Sequence, residues 1–408
     1  MNSTLRKIIF LLGDDRKKIP ILLTMFVFSS IGDLIGIALI GPYVSLIIEG
    51  GSDLYAIVAI TEFFNIYEGD VVIYLGLALV GVFFVKSVVL ILVNRYIFNF
   101  SSNRQASLRA YLLKSYQNMP YETFLSKNSS EYIHTIQQLT QEYVNTLRYA
   151  LRSASDGVVV ILIFLIIAWK SPLTVLGIIL TIVVLIFTYD ILFKSKQNQY
   201  GLVVNSAMRQ IIKSVNESIS GFKEIRILGK EEYFYQIVSK SSFTYSKNHS
   251  KSLLINSSPR YLLELLVVVF IVTFVSLASG RNEGATEIVS MLAIFGVAAM
   301  RVLPAASIIS SFIGLLRYNK DGIDKLHNAY SMSKSYTSLN KSDKFKKDAF
   351  ASIKFLNVSF SYEKSKISTI NNISFNINAG DTIGFIGKSG SGKTTIVDLM
   401  LGLLKPTS

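Results

Sequence analysis

Near its end, the 408-residue chain reads Gly387-Lys388-Ser389-Gly390-Ser391-Gly392-Lys393-Thr394, which matches the phosphate-binding pattern G-x-x-x-x-G-K-[ST]. Glycines let the backbone turn tightly and direct several N–H groups at one anion. The N-terminus of a following helix adds partial positive charge at the same point. The pattern predicts a nucleotide site in which this loop and Thr395 hold phosphates, Lys393 contacts the β- and γ-phosphates, and the Thr394 hydroxyl ligates Mg²⁺.

The residues around the loop favour this interpretation over a chance glycine-rich turn. Residues Thr382–Ile386 are expected to form a short buried strand that runs into the loop, and Thr395–Leu401 the helix that leaves it. Upstream, Ile353–Phe360 and Asn372–Ile377 alternate between apolar and polar residues, as strands do. A stretch rich in Ser, Lys, Asn and Asp, residues Ser331–Asp348, is expected to be a linker that precedes these strands.

The rest of the chain is far more apolar and indicates a membrane protein. Residues Ile19–Ile48 contain Asp33 as their only charge, and about 20 helical residues suffice to cross a ~30 Å hydrocarbon core. Six such spans are predicted. The apolar run of the third, residues 158–168, is too short to span alone, so this span is expected to begin near Ala150. The other five are Val71–Val93, a stretch ending at Ile161–Trp169, Leu173–Leu192, Tyr261–Ala278 and Ile288–Ile313.

Charge is distributed unevenly between the loops. Residues between Pro20 and Val85 contain no Lys or Arg, whereas Lys194–Arg260 contain eleven and Asn94–Arg152 are also basic. The positive-inside rule therefore predicts a cytoplasmic-membrane protein with both termini and these two long segments in the cytoplasm. On this interpretation the net charge of +14 is mostly topological, and no nucleic acid is expected as a partner. No cleavable signal peptide is recognised, and the absence of cysteine excludes disulfides.

The two basic segments keep helical spacing, and we expect them to form long helical hairpins that extend from the membrane. Pro120 and Gly221 are expected to break the helices near the middle of each segment. Residues Leu54–Phe64 are apolar but too short to span. They are expected to form a helix on the outer membrane surface, or a plain packed loop helix.

Taken together, six spans, two long basic hairpins, strands and a phosphate loop resemble a half-transporter of the ATP-binding-cassette (ABC) exporter family. Residues Val358–Tyr362 resemble the start of that family's nucleotide-binding domain, with Tyr362 at the position that stacks on adenine. Other similar strings are Asn372–Phe375, Ala379–Asp381, Gly402–Ser408, Met119–Tyr121 with Phe124, and Ser220–Arg226, the last two around the family's coupling helices.

The resemblance implies a polytopic α-helical membrane domain over residues 1–335, a linker at 336–350, and the start of an α/β phosphate-loop domain at 351–408. It also implies ATP and Mg²⁺ as cofactors, a second half-transporter as partner in a homodimer, and ATP-driven export or flipping. The family's glutamine loop, signature loop, catalytic Glu and switch His do not occur in the 408 residues. The expectation is therefore a truncated, frameshifted or fragmentary chain that binds nucleotide without hydrolysing it.

Five charges fall inside the predicted spans: Asp33, Lys86, Asp190, Glu264 and Arg301. Such charges are costly and rarely face lipid. Asp190 is expected near an interface. Lys86 and Arg301 are deeper, and either they pair with Asp33 and Glu264 or they line a translocation cavity. The second possibility suits an anionic, lipid-linked substrate, as in the lipid-linked oligosaccharide flippases that the layout most resembles, while a peptide or protein exporter remains the alternative.

Overall fold

The computed structural model describes residues 2–49, 71–170, 172–280, 285–337, 350–362 and 368–408. The chain separates into two compact units. The first comprises Met1–Leu108 with Gln137–His327, and the second comprises Arg109–Ile136 with Asn328–Ser408.

Long helices form most of the chain, interrupted by a 3₁₀ helix at Gly13–Lys18 and a π-helical turn at Thr135–Leu139. They are α1 (Asn2–Leu11), α2 (Ile19–Glu49), α3 (Val71–Gln117), α4 (Tyr121–Leu125), α5 (Ser129–His134), α6 (Thr140–Lys170), α7 (Pro172–Ser220), α8 (Phe222–Leu228), α9 (Glu231–Gly280), α10 (Ala285–Tyr318) and α11 (Lys320–Thr337).

Each of the six predicted spans lies inside one continuous helix, namely α2, α3, α6, α7, α9 and α10. By length and composition alone, four helices in the described residues are apolar enough to cross a membrane: segments of α2, α3, α9 and α10. The chain is thus a multi-pass membrane protein, and six spans remain a prediction. The surface helix predicted at residues 54–64 lies outside the described residues.

The predicted helix breaks are confirmed. Helix α3 ends at Gln117, and α4 begins immediately after Pro120, whose ring removes the backbone donor that a continuing helix would need. Gly221 separates α7 from α8, although its own N–H still donates to the carbonyl of Glu217 at 2.9 Å, and Gly229 ends α8 in the left-handed conformation with φ +60°.

Two glycines one helical turn apart bring α2 close to α3. A Cβ added at Gly36 would lie 3.1 Å from the ring of Phe83, and one added at Gly32 would lie 3.8 Å from Cβ of Lys86. Small residues at this spacing let membrane helices approach closely. The approach places Lys86 beside Asp33, the residue that follows Gly32.

The sheet of the second unit consists of β1 (Ser352–Phe360) and β2 (Ile370–Asn378), paired antiparallel, which confirms both predicted strands. Two irregularities in the pairing flank Val358, and Asn357 and Asn372 adopt positive φ nearby. The helix that follows the loop, α12 (Lys393–Met400), packs on the sheet. The buried apolar residues of this core are Phe355, Phe360, Ile370, Ile396, Leu399 and Leu404.

The strand predicted at Thr382–Ile386 is wrong, because these residues form no regular secondary structure. Ile386 is 99% exposed and Ile383 is 46% exposed, so the stretch is not buried either. A strand of this apolar type is stable only between neighbours, and no segment of the described chain pairs with it.

The linker expected from Ser331 begins later, because α11 continues to Thr337. Packing overrides the polar composition here. The backbone carbonyl of buried Ser333 accepts a 3.1 Å hydrogen bond from Ser115, and the rings of Tyr330 and Tyr111 lie 5.0 Å apart. Residues 338–349, which make up most of the expected linker, lie outside the described residues.

Candidate functional site: a phosphate loop and an intramembrane charge cluster

The phosphate loop is an exposed turn whose shape depends on glycine at two positions. Gly390 and Gly392 have φ of +82° and +83°, in the left-handed region that other L-residues rarely adopt. At Gly392 space is also lacking, since an added Cβ would lie 2.7 Å from Cδ1 of Ile370. The chain then enters α12 at Lys393, so the free N–H groups of the helix start open onto the loop.

Lys393 folds back over the loop. Its ammonium donates to the backbone carbonyls of Gly387 and Lys388 at 2.8 and 2.7 Å. The cation is therefore held among the loop residues by neutral acceptors alone, which a phosphate oxygen outcompetes because bonds between two charged groups are stronger. This arrangement fits a nucleotide phosphate.

The remaining predicted nucleotide residues differ in exposure. Thr394 is exposed, so its hydroxyl is accessible to a metal ion, whereas Thr395 is buried. The hydroxyls of Thr395 and Tyr362 lie 3.3 Å apart, which ties the end of β1 to α12. The Tyr362 ring also meets Phe360 edge-on, with centroids 4.9 Å apart. Tyr362 therefore contacts α12, the helix that begins where the phosphate loop ends.

The first break between helices reaches the core of this unit. Tyr121, at the start of α4, packs against the apolar cluster formed by the sheet and α12. Nearby, the rings of Phe124 and Tyr132 stack with centroids 5.0 Å apart, and the Tyr132 hydroxyl donates to the carbonyl of Phe124. The string Met119–Tyr121 with Phe124 therefore sits on the nucleotide-binding unit.

In the first unit, the structure brings four charged residues from four helices together. Asp33 of α2 is fully buried, with Lys86 of α3 2.6 Å from its Oδ1 and Arg301 of α10 2.9 Å from its Oδ2. Asp156 of α6 lies 3.6 Å from Arg301. We call these four residues the Asp33 cluster.

The charges of the Asp33 cluster are close but poorly aligned for hydrogen bonding. Both carboxylate oxygens of Asp33 and Nε of Arg301 are buried, and none has a hydrogen-bond partner within the described residues. Lys86 also lies over the ring of Phe83, 4.6 Å from its centroid. The side chains of Lys86 and Arg301 retain 15% and 23% exposure.

The other charges predicted inside spans pair elsewhere. Glu264 bonds Arg260 one turn away on α9 at 2.9 Å, and both are exposed, so the predicted pairing of Glu264 with Lys86 or Arg301 is wrong. Asp190 pairs with Arg317 of α10. Sequence reasoning missed Asp156, although an acid among apolar residues at the start of the third span was the available signal.

Comparison with known proteins agrees with this geometry. The family model described as ABC transporter transmembrane region matches residues 19–301, and that described as ABC transporter matches residues 370–408. The ATP-dependent lipid A-core flippase of Coxiella burnetii is 21% identical over 76% of this chain and 51% of its own length. That of Escherichia coli K12 is 22% identical over 88% of this chain and 62% of its own length. The chain thus spans about half to two thirds of these curated relatives.

A solved structure shares the fold. The structure of a bacterial Atm1-family ABC exporter with ATP bound superimposes with a TM-score of 0.70 at 14% identity, covering 97% of this chain and 67% of the other. The transmembrane match alone covers more than half of the chain. The protein described here is therefore a member of the ABC transporter family, with an exporter-type transmembrane region and a partial nucleotide-binding domain of the kind that binds ATP, typically with Mg²⁺.

Proposed function

We propose that this chain is a half-transporter that flips an anionic, lipid-linked substrate across the cytoplasmic membrane at the expense of ATP. The observation that carries the proposal is the combination, in one chain, of an open phosphate loop with two cations held together inside the transmembrane bundle. The relatives named ATP-dependent lipid A-core flippase support the same class of substrate. A second half-transporter, most simply another copy of this chain, completes the transporter.

At the nucleotide site, each residue has a role that follows from its position. The loop from Gly387 to Gly392 and the start of α12 cradle the phosphates, Lys393 exchanges its carbonyl partners for phosphate oxygens, and Thr394 offers a hydroxyl to Mg²⁺. Tyr362 provides the ring on which adenine stacks. Bound Mg²⁺ supplies charge neutralisation between the phosphates.

In the membrane, Lys86 and Arg301 contact the anionic head group. A cation at the centre of a span costs roughly 2.5–3.5 kcal/mol by insertion scales. Asp33 offsets part of that cost, yet two cations share it, and Arg301 keeps a buried donor without an acceptor in the described residues. A phosphate has enough acceptor oxygens to serve both cations.

The test is flipping by the full-length transporter reconstituted into lipid vesicles, with a fluorescent lipid that carries a phosphate and a neutral lipid of equal chain length. Lys86→Gln removes a charged contact, which typically contributes 1.5–3 kcal/mol, and should slow flipping of the anionic lipid roughly tenfold or more. The matched control, Glu264→Gln, breaks an exposed pair and should leave the rate unchanged. Equal slowing of both lipids by Lys86→Gln would argue against an anionic head group.

The proposed orientation, with both termini in the cytoplasm, has its own test. Single cysteines at Ser129 and Ser239, in the two basic hairpins, should resist a membrane-impermeant thiol reagent added from outside to cells. A cysteine at Ser52, between the first two predicted spans, should react. Labelling of Ser129→Cys from outside would reverse the assignment.

A further inference from the structure

Asp33 is the acid that both proposed substrate-binding cations share. Each of its oxygens faces a different cation, Lys86 at 2.6 Å and Arg301 at 2.9 Å, so one carboxylate connects α2 with both α3 and α10. We propose that Asp33 is the resident counter-anion of the substrate site: a positioning residue that holds the two cations in place and gives them up to the anionic group of the substrate. This inference rests on the proposed function.

The surroundings of Asp33 fix its position firmly. It has no exposed surface, and Gly32 beside it lets α3 approach to within van der Waals distance. Next to it, Leu34 packs with Val302, the neighbour of Arg301, against two buried residues of α6, Val159 and Ile163. The carboxylate therefore has little freedom to move, and a change of partners requires the cations to move instead.

The two cations are free enough to change partners. Both keep part of their surface exposed, whereas Asp33 keeps none. Their contacts with Asp33 lack hydrogen-bond alignment, and Nε of Arg301 has no acceptor among the described residues. Long, flexible Lys and Arg side chains can turn toward a phosphate and gain aligned, charge-assisted hydrogen bonds that Asp33 does not provide.

The charge balance predicts that removing Asp33 strengthens anion binding instead of weakening it. Two cations and two acids make the Asp33 cluster neutral, so an incoming phosphate meets a carboxylate that competes for the same cations. Removing that carboxylate should strengthen anion binding, because a like charge at short range disappears from a region of low dielectric constant. If Asp33 only supported the fold, its removal would instead lower both anion binding and stability.

The experiment uses inorganic pyrophosphate as the probe and the melting temperature of the full chain in detergent as the readout. All variants carry Lys393→Ala, which weakens the phosphate loop as a second pyrophosphate site. In this background Asp33→Asn should lower the pyrophosphate concentration needed for half-maximal stabilisation by roughly tenfold. Adding Lys86→Gln to Asp33→Asn should abolish most of that gain, because one of the two cations is then missing.

A second variant covers the case in which Asp33→Asn does not fold. Asp156→Asn removes the acid 3.6 Å from Arg301 and leaves Asp33 in place, so it should give a gain of the same sign but only a few-fold. If neither variant gains affinity for pyrophosphate, or if the gain survives Lys86→Gln, Asp33 is not the counter-anion and the inference is overturned.

The outcome is separable from that of the proposed function, because the pyrophosphate assay needs neither lipid nor ATP hydrolysis. A gain for pyrophosphate without any flipping of the anionic lipid would retain the counter-anion and reject the lipid substrate. In vesicles, a phosphate-bearing lipid that competes with pyrophosphate identifies the head group as the natural ligand. Competition by free phosphate alone would assign the site to a soluble anion and overturn the role of Asp33 in lipid flipping.

Discussion

The phosphate loop and the Asp33 cluster both gather positive charge, but they hold it in opposite ways. In the loop, one contiguous segment holds Lys393 at the surface, and backbone carbonyls at 2.7 and 2.8 Å are its partners. In the Asp33 cluster, four helices contribute one charged side chain each, and the cations are already paired with a buried acid.

The environments explain the difference. At the surface, water solvates an unpaired ammonium, so Lys393 needs no counter-ion and stays available to a phosphate. Inside a membrane, an unpaired cation is costly, so Lys86 and Arg301 require an acid whether or not a ligand is present. A membrane site for anions must therefore contain its own competitor, whereas a surface site need not.

The largest expected effect tests whether Asp33 is shared. Lys86→Gln or Arg301→Gln alone leaves Asp33 with one cation, and each should destabilise the protein only moderately. The double variant leaves a buried carboxylate without a cation, which typically costs about 3–5 kcal/mol, so its effect should exceed the sum of the single effects. Melting temperature and the fraction of monodisperse protein in detergent measure this.

A rescue completes that experiment. Adding Asp33→Asn to the double variant removes the unpaired charge and should recover most of the lost stability. Simple additivity of Lys86→Gln and Arg301→Gln, with no recovery by Asp33→Asn, would show that the Asp33 cluster does not behave as one unit.

The next largest effect concerns the phosphate loop, where a substitution should weaken ligand binding and leave the stability of the fold nearly unchanged. Lys393→Ala removes a charged partner of the phosphates and should weaken ATP binding by about 1.5–3 kcal/mol, or roughly 10- to 150-fold, with little change in melting temperature. Titration with a fluorescent ATP analogue measures it. Lys388→Ala, at an exposed lysine of the same loop, is the control and should bind nearly normally. Equal losses in both variants would mean that general positive charge, not the position of Lys393, holds the nucleotide.

Two glycines of the loop separate backbone strain from packing. Gly390→Ala and Gly392→Ala both force alanine to positive φ, at a cost of about 1–2 kcal/mol each. Space is open around Gly390, but at Gly392 the new Cβ would also collide with Ile370. Gly392→Ala should therefore lower the melting temperature more than Gly390→Ala, and equal shifts would show that the sheet yields to the added methyl group.

The loop could be predicted from sequence because its chemistry is local. The positions of Gly390, Gly392, Lys393 and Thr394 follow from consecutive residues, and the helix that begins at Lys393 follows from the same pattern. The prediction of a strand at Thr382–Ile386 was wrong because strand formation, unlike the loop, is not local. Strand pairing needs a distant segment, and its apolar composition alone does not provide one.

The Asp33 cluster could be predicted only in part. Hydropathy identified Asp33, Lys86 and Arg301 as charges within spans, because each stands out in an apolar helix. Which charges pair depends on how the helices pack, and spacing along one helix carries no such information. The sequence therefore left Glu264 and Asp33 as equal candidates for pairing with the two cations. In the structure both cations contact Asp33.

Another acid, Glu142 of α6, sharpens the comparison, because the hydrogen-bond donor described for its carboxyl group is a neutral amide. One carboxyl oxygen accepts a 3.1 Å hydrogen bond from Gln138, and the other is buried without a hydrogen-bond partner in the described residues. The nearby Lys325 bonds Asp321 at 2.5 Å instead. Burial raises the pKa of Glu142 from its ordinary 4.5 to about 7; the Gln138 hydrogen bond opposes the rise and the charge of Asp321 adds to it.

The smallest expected effect is therefore a pH dependence at Glu142, which precedes the third predicted span. Because the folded protein holds the proton more tightly than the unfolded chain, this contribution to stability is complete below about pH 4.5 and is lost as pH rises through about 7. Between pH 6 and pH 8 the loss should be on the order of 1 kcal/mol. Glu142→Gln, which resembles the protonated acid, should flatten the dependence of the melting temperature on pH over this range. A wild-type melting temperature that rises between pH 6 and pH 8, together with an unaltered slope in Glu142→Gln, would mean that Glu142 stays ionised in the folded protein.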